Sequence, residues 1–264
     1  MNVSKDQDVL KFERLKDGCI TSAKGFSAVG SCAGLKTSGK DDMCLIVCTE
    51  SEPAAAGGVF TKSVVRAAPV DICRNQLELS GNRAAAIVIN SGQANAATGE
   101  QGWKDALDVI ELAASLIGVD PKYILVSSTG VIGRRIKMDA LTKALPRIVS
   151  ELGSSVESGL RAARAIMTTD LVPKTVGFQT EIGGKKVIVG GMAKGSGMIH
   201  PDMATMLSYI TCDVGMDGKE WQKLVADAAT LSFNQITVDG DTSTNDTLIG
   251  LASGASGAWV EPGT

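Results

Sequence analysis

The stretch Lys194-Gly-Ser-Gly-Met-Ile-His-Pro-Asp-Met-Ala-Thr-Met-Leu207 decides how this chain is read. A Gly/Pro-rich approach ends in the small residue Ala204, then Thr205, then an apolar run from Met206 to Ile210, which predicts a loop feeding a strand. On spacing alone such a turn also serves as a plain connection. A chain break before Thr205, however, would make that threonine an N-terminal residue carrying its own base. The α-amine, with a pKa of about 8 in a free peptide, can take the hydroxyl proton directly or through a water. His200 is the single histidine in the sequence, so a serine–histidine apparatus would depend wholly on it.

Composition narrows the class. At 264 residues and 44% apolar, the chain can bury a core as one large domain or two small ones. A formal charge of −3 argues against nucleic acid or an anionic membrane as main partner. No apolar run approaches the roughly 18 residues that span a bilayer. The first eight residues are polar and read as neither a signal peptide nor an Arg-rich transit peptide. The cysteines (Cys19, Cys32, Cys44, Cys48, Cys73, Cys212) form no C-x-x-C pair, and no histidine cluster accompanies them, so no metal site is expected. Cys44 and Cys48 share one face of a buried strand. Free thiols in a reducing compartment are the expectation.

Strand-like and helix-like segments alternate. Cys44–Thr49, Val64–Cys73, Ala85–Asn90, Tyr123–Ser127 and Met206–Cys212 read as strands. Val176–Ile182 and Lys185–Val189 read as a hairpin about Gly183-Gly184. Gln101–Ile117, Met138–Glu151, Glu157–Ala165 and Lys219–Phe233 read as helices, and Ile236 opens a Gly/Asp/Thr-rich loop. Hairpins mixed with helices predict an α+β fold with mixed sheets.

Further blocks accompany the Thr205 stretch: Asn90-Ser-Gly-Gln-Ala-Asn-Ala-Ala-Thr-Gly99, Ser128-Thr-Gly-Val-Ile-Gly133, Ala165-Ile-Met-Thr-Thr-Asp170 and Thr237-Val-Asp-Gly-Asp-Thr-Ser-Thr-Asn-Asp246. Together and in this order they resemble the ornithine acetyltransferase (glutamate N-acetyltransferase) family of arginine biosynthesis, with wording most like plant or algal members. The resemblance runs from about Gly25 to Gly257. It implies a layered α/β/β/α fold of the self-cleaving N-terminal-nucleophile type. It divides the chain into residues 1–204, a first (alpha) chain, and 205–264, the start of a second (beta) chain. It implies transfer of acetyl from N-acetylornithine to glutamate through an acetyl-threonine. No coenzyme is required for that exchange, and acetyl-CoA is a possible co-substrate. A heterotetramer of two alpha and two beta chains is expected, in the plastid stroma of a eukaryote or otherwise in the cytoplasm. The rivals are a related N-terminal-nucleophile aminopeptidase and an inactive truncated relative. The chain ends at Glu261-Pro-Gly-Thr264 without the family's later substrate-binding blocks, so a fragment is expected.

The resemblance also carries roles. Thr205 is the expected nucleophile, with cleavage between Ala204 and Thr205, and Thr129 and Gly130 are the expected oxyanion hole. Both half-reactions pass through a tetrahedral oxyanion, for which one pre-aimed donor is worth about 3 kcal/mol. Thr168, chosen over Thr169 although either hydroxyl can donate, and Lys194 are the expected substrate contacts, with Thr205 itself. Asn90, Gln93 and Asn95 read as amides that satisfy a turn. His200 reads as shaping its loop. Asp202 stands where the family commonly has asparagine, so an added carboxylate near the scissile bond is expected to slow cleavage or alter its pH dependence. The Asp239–Asp246 run lacks the spacing and terminal glutamate of a calcium loop and reads as turn stabilisation.

Overall fold

In this computed structural model, residues 11–198 and 206–261 are described. The elements run β1 (Glu13–Arg14), β2 (Phe26–Ser31), β3 (Met43–Cys48), β4 (Ala54–Phe60), α1 (Ala68–Leu79), β5 (Arg83–Ala84) and β6 (Ala86–Gln93). They continue with α2 (Gly99–Ile117), β7 (Ile124–Val131), α3 (Met138–Ser150), α4 (Val156–Ala165), β8 (Lys174–Ile182), β9 (Lys185–Lys194), β10 (Leu207–Cys212), α5 (Gly218–Leu231) and β11 (Thr247–Ala252). One sheet has the order β1-β8-β9-β10-β11-β4-β5 and the other the order β2-β3-β6-β7. Most neighbours are antiparallel, but β6–β7 and β10–β11 are parallel, so both sheets are mixed.

Side-chain alternation stacks these sheets. Leu207 and Tyr209 of β10, with Ile249 and Leu251 of β11, join the large core that also holds Leu45, Ile46, Ile87 and Ile89 of the four-stranded sheet. The intervening Cys212, Leu248 and Ala252 face the other way, onto Trp221, Val225 and Ala229 of α5. A two-residue period thus feeds two cores, one on each face of the seven-stranded sheet. Trp221 donates its indole N–H to Gly250 O at 2.8 Å, which seats the α5 side. Helices α2, α3 and α4 cover the far face of the four-stranded sheet. The layers are α/β/β/α, as the resemblance implies.

Glycine lets a helix approach each sheet. A Cβ on Gly30 in β2 would lie 2.1 Å from Arg161 O of α4, and one on Gly57 in β4 would lie 2.9 Å from Gln222 Cα of α5. Both glycines are therefore fixed by packing.

Helix punctuation follows local chemistry. Asp217 caps α5, accepting from Lys219 N at 2.9 Å, and α2 stops at Gly118, whose φ of 82° suits a left-handed terminus. The expected strand at Val64–Cys73 is a correction: most of it lies at the start of α1. Pro69 sits in the first helical turn, where its missing N–H costs nothing, and Val70, Cys73 and Leu77 are buried at helical spacing. The β-branched pair Val64-Val65, which prompted the strand reading, lies exposed before the helix. Strands β2, β4 and β11 were not expected; the small residues of β2 and β4 give little β signal.

Replacing Gly30 with valine is expected to push α4 off β2 and cost about 1–3 kcal/mol or more. A urea midpoint unchanged from the wild type would contradict that packing.

Candidate functional site

The parallel pair β6–β7 runs in register from Ala86↔Ile124 to Gln93↔Val131, placing Ser91 opposite Thr129 and Gly92 opposite Gly130. The sequence reading ended the strand at Ser127, ahead of Thr129 and Gly130. The ladder instead continues through them, so both belong to β7. Gly130 has φ 132°, and a Cβ there would lie 2.4 Å from Gly92 C, so only glycine fits.

Two polar networks hold this end of the sheet. Ser128 Oγ donates to Asn90 Oδ1 at 2.5 Å, and Asn90 Nδ2 donates to Gln93 O at 2.9 Å. Asn245, from the Gly/Asp/Thr-rich loop, donates Nδ2 to Ala94 O at 2.6 Å and to Ser128 O at 2.8 Å. Asn95 Nδ2 donates to Gly102 O at 2.8 Å. Asn90 and Asn95 thus bond backbone groups, as read from sequence, although Asn90 lies within β6. Gln93 Nε2 reaches Leu35 O at 3.0 Å while its Oε1 is buried without a partner among the described residues. Asp42, fully buried, accepts from the N–H groups of Ala33, Leu35 and Lys36 at 2.6, 2.6 and 2.9 Å, which fixes the neighbouring loop.

These elements enclose a cleft of about 820 Å³ whose lining includes Thr129, Gly130, Thr168, Lys194, Met198 and Asn245. The described residues expected to serve the chemistry are therefore brought to one cavity. Ala204, Thr205, His200 and Asp202, with the chain division between residues 204 and 205, lie outside the described residues. The described chain resumes at Met206, whose N–H donates to Asp246 Oδ1 at 3.1 Å.

Lys194 is the last residue of β9, paired with Leu207, and is only 5% exposed. A strand end replaces the solvated loop that its glycine-rich surroundings would give by default. Burial lowers its ammonium pKa, with Asp170 and Asp246 pulling the other way. No hydrogen bond ties that ammonium among the described residues. Asp170 is itself buried, paired with Lys174, and accepts from Gly195 N at 2.8 Å; Lys174 in turn donates to Gly195 O at 3.0 Å. Burial alone would raise the Asp170 pKa, but the bonds from Lys174 and Gly195 outweigh it and hold it below the usual carboxylate value. Thr169 Oγ1 shares a 2.6 Å hydrogen bond with Ser196 Oγ, whereas Thr168 lies exposed on the cleft wall with no bond to its hydroxyl among the described residues. Of the two threonines, Thr168 keeps its hydroxyl available.

Sequence reasoning missed the roles of Asp170 and Asp246. Both end a quoted block, and only the fold shows them flanking one buried lysine. The thiols behave as expected of packing groups: burial pushes Cys73 and Cys212 up to about 12, and every cysteine is unpaired.

The profile of the ArgJ family matches residues 27–263. The chain belongs to the ArgJ family. It is 54% identical over 240 residues to the arginine biosynthesis bifunctional protein ArgJ of Synechocystis, covering 91% of this chain and 57% of that relative. It is 55% identical over 241 residues to the chloroplastic ArgJ of Physcomitrium patens, covering 91% of this chain and 46% of that one. The chain thus spans about half the length of the curated relatives it matches. The solved ornithine acetyltransferase of Mycobacterium tuberculosis, in complex with ornithine, is 37% identical with a TM-score of 0.66; the match covers 72% of this chain and 98% of that one. An aminopeptidase of Ochrobactrum anthropi described as a variant of the Ntn-hydrolase fold aligns at TM-score 0.58 and 12% identity, a likeness of fold alone.

Because the fold lowers the Asp170 pKa, the stability this carboxylate contributes is present above its unfolded pKa and is lost as pH falls through the folded one. Asp170→Asn is therefore expected to melt lower than wild type at pH 7, with the gap closing below about pH 4. A gap independent of pH in a calorimetric series would contradict the ionised Asp170.

Proposed function

We propose that this chain carries the acetyl-transfer site of arginine biosynthesis, moving acetyl from N-acetylornithine to glutamate through an acetyl-threonine on Thr205. The observation that carries the reading is the meeting of Thr129, Gly130, Thr168 and Lys194 in one cleft, beside the start of β10. The ornithine bound to the Mycobacterium tuberculosis relative supports the substrate class.

Maturation comes first. The Thr205 hydroxyl attacks the Ala204 carbonyl, the amide becomes an ester, and water releases residues 1–204 with a free α-amine on Thr205. The solved relative supports such a division: it is covered almost end to end by under three quarters of this chain, whereas the curated relatives are longer than this chain.

Transfer follows by two half-reactions. The Thr205 Oγ attacks the acetyl carbonyl of N-acetylornithine while its proton passes to the α-amine. Thr129 and Gly130 donate to the oxyanion, and its collapse expels the ornithine amine, which takes the proton. The glutamate amine then attacks the acetyl ester, returning the proton to Thr205. Thr168 and Lys194 hold the substrate carboxylate. Donor and acceptor are both amino acids, so this exchange requires no coenzyme. Acetyl-CoA serves as a second acetyl donor, a reading favoured by the word bifunctional in the relatives' names. The mature protein is a heterotetramer of two alpha and two beta chains. The chloroplastic plant relatives favour the plastid stroma for a eukaryotic source, and the cytoplasm otherwise.

The test compares the intact mass of wild type with Thr205→Ala, followed by acetyl transfer from N-acetylornithine to labelled glutamate. Wild type is expected to split between Ala204 and Thr205, with the variant whole and at least a thousandfold less active. A folded, cleaved wild type that releases acetate but forms no acetylglutamate would overturn transfer in favour of hydrolysis.

A further inference from the structure

Lys194 serves one carboxylate, yet the cleft is also lined by Lys36, Arg134, Arg135 and Lys137. Against these cations its lining sets only the carboxylates of Asp239 and Asp241, so the cavity is net positive in a chain of formal charge −3. At about 820 Å³ it also stands toward the upper end of ligand pockets, which run to about 1,000 Å³. N-acetylornithine and glutamate are small, and neither is strongly anionic. Room and positive charge are both left over.

The surplus cations come from the exit of β7 and the loop beside it. After Val131 the chain turns at Gly133, whose φ is 78°, and then presents Arg134, Arg135 and Lys137 before α3 begins. Arg135 is aimed from α2: its Nε and Nη2 donate to the buried Asp105 at 3.0 and 2.7 Å, which offsets its charge but fixes the segment. Lys137 Nζ donates to Gly34 O at 3.1 Å and so stands against the loop that carries Lys36. Lys36 Nζ donates to Asp41 O at 2.8 Å, and the Asp41 and Asp42 carboxylates partly match its charge. Arg134 is exposed, with no hydrogen bond or ion pair among the described residues. The charge left for a ligand is chiefly that of Arg134 and Lys137. Between Gly130 and these cations lie Val131 and Ile132, both nearly half exposed and both lining the cleft. The wall thus passes from the proposed oxyanion donors, over an apolar step, to a cationic end.

We propose that Arg134 and Lys137 form a phosphate-binding subsite at the cationic end of the cleft, which takes the phosphorylated nucleotide end of an acyl thioester while its arm crosses Val131 and Ile132. This deepens, and rests on, the reading of acetyl-CoA as a second donor. A guanidinium meets a phosphate through two parallel N–H donors, and an ammonium adds a point charge beside it. A cleft lined by one sign of charge also concentrates ligands of the other. The amino-acid donor carries no phosphate, so a subsite of this kind separates the two donors.

The test titrates the full chain with coenzyme A by calorimetry and measures acetyl transfer from each donor beside it. The proteins are wild type, Arg134→Gln, the double variant Arg134→Gln/Lys137→Gln, and Lys219→Gln on α5, a lysine that does not line the cleft. Arg134→Gln is expected to weaken coenzyme A binding about tenfold and the double variant about a hundredfold, as one charge-assisted bond from each residue implies. Lys219→Gln should bind as wild type does. The KM for acetyl-CoA should rise in the same order relative to that for N-acetylornithine. Pantetheine, which lacks the phosphates, should not compete, and inorganic phosphate should compete only weakly. A wild type that does not bind coenzyme A would overturn the subsite, as would wild-type affinity in the double variant, an equal loss in Lys219→Gln, or inorganic phosphate competing as well as coenzyme A. Transfer from acetyl-CoA with an unchanged KM in the double variant would overturn the subsite and leave the donor reading standing. Coenzyme A bound through Arg134 and Lys137 with its acetyl never transferred would support the subsite and overturn the donor reading.

Discussion

The pairing of β10 on both its edges is the constraint from which the site follows. One edge bonds β9 and sets Leu207 opposite Lys194; the other bonds β11 and sets Leu207 opposite Thr247. Two registers meeting at one residue bring together Lys194, Met206 and Asp246, which lie far apart in sequence. A slip of one residue in either ladder would turn Leu207 and Tyr209 out of the core and onto α5. Register is therefore enforced by burial, and the placement of the buried charges comes with it.

With the exposed Lys174 they form an alternating series: Lys174, Asp170, Lys194, Asp246. Burying any one alone would be costly, because desolvation is repaid only by a well-placed partner. Asp170 is repaid by Lys174 and the Gly195 N–H. Lys194 has carboxylates on both sides but no direct bond to either among the described residues, leaving its ammonium under-satisfied at the cleft. Such a cation favours a ligand that brings its own carboxylate, as the proposed amino-acid substrates do.

Much of this was legible in the sequence. The strand at Met206–Cys212, the two-residue hairpin at Gly183-Gly184 and the apolar stripe of α2 all follow from periodicity and turn chemistry. The quoted blocks pointed to the cleft because their polar and glycine residues lie at the ends of β6, β7 and β9. The illegible parts have a common cause. Strands β2 and β4 are rich in Ala, Gly and Ser, which admit close helices, and small residues carry little propensity. The start of α1 was misread because Val64-Val65 carries a local β signal that tertiary packing ignores. The roles of Asp170 and Asp246 depend on long-range juxtaposition, which no spacing along the chain encodes.

Asn245 bridges Ala94 and Ser128, and so ties a loop beyond residue 205 to strands that precede it. Strand β10 does the same between β9 and β11. A cut at the proposed point would sever covalent continuity while leaving these bonds in place. Folding as one chain lets every such contact form intramolecularly. Once separated, the same pieces would have to meet by diffusion, so recovery would depend on protein concentration. Assembly would then be written into the order of events: the fold is made first and divided afterwards, and a mature molecule that comes apart faces a different problem from the one its precursor solved.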